Sequence, residues 1–136
     1  MYNKVIVFEG VDGSGKSYHL NAASNYLKKK KIRHIRLREP GGSKNSEQLR
    51  KLLLSNRSNF EKKTDLLLYL SARSENFHKI IKPNLKKKVI LIDRFIDSTK
   101  AYQHYGFGIN KNIIDSLNRF ILGKFKVDFT FLHLVQ

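Results

Sequence analysis

Apolar residues recur along this chain in two alternating rhythms. Val5, Ile6, Val7 and Phe8 form an unbroken apolar run closed by Glu9, the pattern of a strand covered on both faces. From 16 to about 30 the spacing becomes helical, with Leu20, Ala23 and Leu27 on one side. Residues 34–38 alternate as a second strand and stop at Glu39-Pro40-Gly41-Gly42, a strong turn signal. A short helix follows from 46 to about 55 with Leu49, Leu52 and Leu53. A longer one starts at Thr64, carries Leu66, Leu67, Leu70, Phe77 and Ile81, and is expected to end at Pro83. Residues 89–92 are a second buried-type strand, and 110–122 a helix with Ile113, Ile114, Leu117 and Ile121 on one side and Gly123 as its stop. The last strand is expected over 129–135. Strands that alternate with helices predict an α/β domain around a mainly parallel sheet.

The 136 residues are enough for one domain with a sizeable core, and neither an internal repeat nor a linker divides them. With 40% hydrophobic and 28% charged residues, global disorder is excluded. Cysteine is absent, which removes disulfides and thiolate metal sites. The first apolar run is too short for a signal peptide or membrane anchor, so the reading is cytoplasmic. The formal charge of +16 allows a nucleic-acid partner. Yet the lysine runs at 28–31 and 86–88 fall where helices should end, and neither is interleaved with aromatic residues. Lysines on solvated helix faces are therefore preferred, with the positive field also attracting anionic nucleotides.

The chemistry enters at Gly10-Val11-Asp12-Gly13-Ser14-Gly15-Lys16-Ser17, directly after the first strand. This is the G-x-x-x-x-G-K-[ST] pattern of a phosphate-binding P-loop. Backbone N–H groups would wrap the phosphates of ATP, Lys16 would reach the β- and γ-phosphates, and the Ser17 hydroxyl would sit on Mg²⁺. The dinucleotide pattern G-x-G-x-x-G fails, because Tyr18 stands where its last glycine should be. A second feature is Asp93-Arg94 at the end of an apolar strand, the edge at which open parallel sheets bind ligands. Asp93 is placed to hold Mg²⁺ through its water shell and Arg94 to grip a phosphate. The competing reading has Asp93 capping a following helix and pairing with Arg94.

Four segments, 8–17 (FEGVDGSGKS), 38–42 (REPGG), 66–73 (LLLYLSAR) and 93–103 (DRFIDSTKAYQ), together resemble the thymidylate kinase family, in its order and spacing. The resemblance runs to about residue 130. It implies a three-layer P-loop fold of the nucleoside-monophosphate-kinase type and transfer of the ATP γ-phosphoryl group to dTMP, giving dTDP. It also implies a homodimer packed through helices. Residue by residue, it implies that Tyr69 stacks on thymine, Arg73 bonds the base edge, and Gln103 adds base or sugar contacts. Tyr102 would crowd the 2′ position, and Asp12 would reach the acceptor sugar or its phosphate. Arg38 and Arg94 would hold the acceptor phosphate, with Ser98 and Thr99 in the same pocket. Lys16, Arg38 and Arg94 are the expected catalytic cations.

From the residues alone, blander readings stay open: Tyr69 as core, Arg73 as a solvated helix charge, Arg38 paired with Glu39, and Tyr102 clustered with Tyr105 and Phe107. None of the five histidines has metal-ligand spacing. Some family members carry an arginine inside the P-loop. Here Gly13 and Ser14 stand there, as in the class whose catalytic arginine comes from a downstream lid. The expectation is a chain lacking the lid and the C-terminal strand and helices, retaining the dTMP and phosphate sites with weak or absent turnover. Two rival functions are another nucleoside or nucleotide P-loop kinase and a noncatalytic basic nucleic-acid-binding module.

Overall fold

The computed structural model describes residues 3–135. Four strands, β1 (Val5–Gly10), β2 (His34–Arg38), β3 (Val89–Asp93) and β4 (Phe129–His133), form one sheet in the order β2-β3-β1-β4. All three pairings are parallel. The helices are α1 (Lys16–Lys29), α2 (Lys44–Leu54), α3 (Lys62–Asn76), α4 (Lys82–Asn84), α5 (Ile96–Thr99) and α6 (Lys111–Leu122). π-helical turns over Phe77–Ile81 join α3 to α4, and turns of the same kind over Lys100–Gly106 extend α5. Among the described residues no helix is long and apolar enough to cross a membrane.

The two central strands have apolar side chains on both faces. Val5 and Val7 of β1 and Ile90 and Ile92 of β3 pack with Leu37, Phe77, Ile81, Phe95 and Leu122. Their sequence neighbours Phe8 and Leu91 point the other way, onto Leu20 of α1 with Ala23 and Leu27 behind it. This is the two-residue period of a pleated strand. Ile90, Leu91 and Ile92 are fully buried, each worth about 1.5–3 kcal/mol relative to exposure. A smaller cluster of Leu66, Leu70 and Ile114 fastens α3 to α6.

Three differences from the sequence reading have physical causes. The long helix passes Pro83 and ends at Asn84. Pro83 follows directly on the π-helical turns over Phe77–Ile81, where the Lys82 N–H donates to the Phe77 carbonyl five residues back instead of to the regular ladder. β4 stops at His133 rather than at 135, and as an edge strand it leaves Phe129, Phe131 and Leu132 exposed. The sequence reading drew no bounds for the helix over 96–106, whose N-cap is Phe95, a residue with no capping oxygen. Lys28 and Lys29 do fall in the last turn of α1, where they meet the negative end of its dipole.

Candidate functional site

Parallel pairing brings the carboxyl ends of the strands to one edge. Asp93 is opposite Phe8 on one side and Arg38 on the other, so the ends of three strands share a level. Residues 10–17 turn from β1 into α1, with the Ser14 N–H donating to the Val11 carbonyl at 3.2 Å. A Cβ on Gly10 would come within 2.7 Å of Ser14 Oγ and 2.9 Å of the His133 carbonyl, so only glycine fits there. Helix α1 has no side-chain cap and no acid in its first turn. Its N–H groups and positive dipole end therefore remain available to an anion. They border a concavity of about 360 Å³ lined by Val11, Asp12, Gly13, Gly15, Lys16, Ser17 and Tyr18.

Beside it lies a cleft of about 380 Å³ that gathers residues from all four quoted segments. Asp12, Lys16 and Ser17 come from the loop, Arg38 from β2, and Tyr69 and Arg73 from successive turns of α3. Asp93 and Arg94 close β3, and Ser98, Thr99, Tyr102 and Gln103 come from the 96–106 helix. Every acceptor-site residue anticipated from the sequence thus lines one cleft.

Four cations of this cleft, Lys16, Arg38, Arg73 and Arg94, are paired with acids. Lys16 bonds Asp93, and Arg94 bonds Asp12 and donates to the Tyr102 hydroxyl at 2.8 Å. Asp93 therefore caps no helix, and Tyr102 belongs to Arg94 rather than to a cluster with Tyr105 and Phe107. Arg38 pairs not with Glu39 but with Glu47, at 3.2 Å. The Gly42 N–H holds the Glu47 carboxyl below its ordinary range, with Arg38 adding to the effect. Tyr69 is half-buried, and burial raises its phenol pKa, so the ring stays neutral.

Arg73 overturns the reading of a solvated charge, since its side chain is only 3% exposed. Nε and Nη2 both donate to Glu39 Oε1, at 2.9 and 2.6 Å. Nη2 also donates to Thr99 Oγ1 at 2.7 Å, and Nη1 to Asn118 Oδ1 at 2.8 Å. The guanidinium lies 4.8 Å from the centre of the Phe95 ring. A guanidinium has five donors, so one N–H on Nη1 is left over. Gln103 is fixed the other way. Its Nε2 donates to Asp65 Oδ2 at 2.8 Å, while the buried Oε1 has no partner. A carboxylate only accepts, so this bond determines which end of the amide is oxygen.

Several functional neighbours were not singled out from the sequence. Glu39 supports Arg73, and Arg50 donates to the Pro40 carbonyl at 2.6 Å while lining the cleft. Glu39 is inside the quoted REPGG segment, whereas Arg50 and Asn118 carry no local signal. Burial raises the Glu39 pKa against the pull of the Arg73 guanidinium, and Glu39 Oε2 is buried without a partner. The second glycine of REPGG is also explained: a Cβ on Gly42 would come within 2.6 Å of Asn76 Oδ1.

The donor set fits a nucleotide carrying Mg²⁺. Ser17 and Asp93 offer hard oxygen ligands in the same cleft, and no group of three or more His, Cys, Asp or Glu among the described residues could hold a metal alone. Mg²⁺ is characteristically bound by one or two carboxylates plus substrate phosphates.

The family model for thymidylate kinase matches residues 8–136. A thymidylate kinase from Thermosipho africanus is 42% identical over 127 residues, covering 93% of this chain and 63% of its own length. One from Kosmotoga olearia is 41% identical over 119 residues, covering 87% and 57%. The crystal structure of thymidylate kinase from Ehrlichia chaffeensis superposes with a TM-score of 0.91 at 39% identity, covering all of this chain and 74% of that one. The chain thus spans about three-fifths of the length of these two curated relatives, 63% and 57%.

Proposed function

The chain belongs to the thymidylate kinase family, and on that premise we propose that it transfers the γ-phosphoryl group of ATP to dTMP, giving dTDP and ADP. The observation that carries the reading is that Arg73 and Gln103 both line the cleft, Arg73 with one Nη1 N–H left over and Gln103 with an Oε1 that has no partner. Thymine offers the complement, a carbonyl at O4 and an N–H at N3. Cytosine reverses both groups and would leave buried polar atoms unpaired, which is the strong form of discrimination. Tyr69 supplies the stacking surface, and Tyr102 stands against a 2′-hydroxyl.

The phosphates are assigned to separate cations. The P-loop amides and Lys16 take the donor, and Arg38 and Arg94 take the acceptor phosphate. Asp12 lies beside that phosphate through its bond to Arg94. Ser17 and Asp93 would hold Mg²⁺, which would supply positive charge to offset that of the phosphates. The acceptor phosphate has its second pKa near about 6, so its attacking oxygen is already anionic at neutral pH. No general base is needed. The chain's task is to bring two polyanions into line and to offset their repulsion.

Thermal-shift titration tests the reading. dTMP should raise the melting temperature, while dCMP at the same concentration should leave it close to that of the free chain. Equal stabilisation by the two nucleotides would remove the assignment. dGMP, which shares the thymine pattern of donor and acceptor, tests whether the cleft also excludes a purine by size.

We also infer a homodimer packed through helices α2, α3 and α6. These surround a groove of about 650 Å³ that includes Leu52, Leu67 and Phe120. Phe120 is 87% exposed, and Leu52 and Leu67 about half exposed, an apolar face of the kind that marks association. Sedimentation velocity should give a dimer that Phe120→Asp converts to monomer. A monomer for the unaltered chain at tens of micromolar would end this assignment.

A further inference from the structure

Helix α5 begins without a cap of its own. The first N–H groups of a helix need outside partners, and a capping box supplies them from the N-cap and third helical positions. Here those positions are Phe95 and Ser98, and Phe95 makes no side-chain capping bond. The carboxylate of Glu9, from the end of β1, takes both places. Its Oε1 accepts from the Phe95 N–H at 2.7 Å and from the Ser98 N–H at 3.3 Å. Its Oε2 accepts from the Ser98 hydroxyl. Glu9 is buried, so the cap is shielded from competing water.

What it holds is one wall of the cleft. Arg94, one residue before Phe95, has φ of 67°, the left-handed region that a side-chain-bearing residue rarely adopts. Its N–H donates to the Phe8 carbonyl at 3.0 Å, and the next N–H goes to Glu9. The reversal is thus pinned by two successive residues of β1, one through its main chain and one through its side chain. Beyond it the helix presents Ser98, Thr99, Tyr102 and Gln103 to the cleft. On its other side Glu9 adjoins Gly10, where the phosphate loop begins.

We propose that Glu9 is a positioning residue: its carboxylate fixes Arg94 and the 98–103 wall against the strand that carries the phosphate loop, so that acceptor binding depends on it far more than donor binding. This role rests on the acceptor reading given above. Glu9 touches neither nucleotide in that reading and acts through the backbone it holds.

The test compares the unaltered chain with Glu9→Ala and Glu9→Gln by calorimetric titration of ADP and of dTMP, and by amide hydrogen exchange without nucleotide. Glu9→Ala should raise the Kd for dTMP about 10–100-fold and leave that for ADP within about twofold. Glu9→Gln keeps one acceptor oxygen and should fall between. Amides at 95–99 should exchange at least about tenfold faster in Glu9→Ala, with those of α1 unchanged. Unchanged exchange at 95–99 would overturn the proposal, as would parallel weakening of ADP and dTMP. If the unaltered chain binds ADP but not dTMP, the acceptor reading fails and takes this role with it. If dTMP binds and Glu9→Ala leaves its Kd unchanged, only the role fails.

Discussion

Lys16→Ala should lower the rate of ADP formation from ATP, Mg²⁺ and dTMP about 10³-fold relative to the unaltered chain, the scale of losing a buried charge-stabilising donor. Lys16 opens α1 with its side chain 8% exposed, and its ammonium is held at the cleft by Asp93. A charge kept there in a fixed position requires little reorganisation as phosphoryl charge develops, so its loss should fall mainly on the chemical step. The fold should survive. The Asp93 side chain is 27% exposed and can be hydrated once its partner is gone. ADP release measured with a coupled assay, alongside ADP binding, separates these effects. A variant that keeps a rate within about tenfold of the parent would show that Lys16 is not the principal charge on the transferred group.

Arg73→Met should destabilise the fold by about 3–5 kcal/mol, the largest stability effect expected from a single side chain here. It leaves Glu39 buried without the guanidinium that now faces Oε1. The pH dependence has a definite sign. Burial already sets the folded pKa of Glu39 above the ordinary 4.5. Its neutral form therefore stabilises the fold fully below the unfolded value, and that contribution is lost as pH rises through the folded one. Removing Arg73 takes away the opposing pull, moves the folded value further up and deepens the loss at neutral pH. Urea denaturation should place the variant nearest to its parent at about pH 4 and furthest at about pH 7.5. Adding Glu39→Gln should recover most of the deficit. An equal loss at both pH values, or no recovery in the double variant, would show that packing against Phe95 rather than charge accounts for the cost.

What the amino-acid pattern made legible is what depends on neighbours in sequence. β1 and β3 are unbroken apolar runs because both faces are covered, and the P-loop is contiguous because one turn builds it. The cleft residues were legible through the resemblance, segment by segment. What remained hidden depends on distant partners. Glu9 meets Phe95 86 positions away, Arg73 meets Asn118 45 away, and Gln103 meets Asp65 38 away. A carboxylate at the end of an apolar strand gives no sign of which helix it will cap. The bounds of the 96–106 helix escaped for the same reason, since its cap is not in its own segment. Arg73, read locally, looks like any cation on a helix, and only the packing of Glu39, Thr99 and Phe95 around it makes it interior.

The alignment of the strands has a consequence for how such a site survives mutation. One step inside the cleft, Val7, Ile92 and Leu37 form a buried row, and Phe8, Asp93 and Arg38 are the next row out. Sliding β2 by one residue would turn Ile35 and Leu37 away from the core they pack against. The same slip would carry Arg38 off the level of Asp93. The demand for that aliphatic row thereby also holds the charges of the cleft at their spacing, and drift in either is exposed by failure of the other.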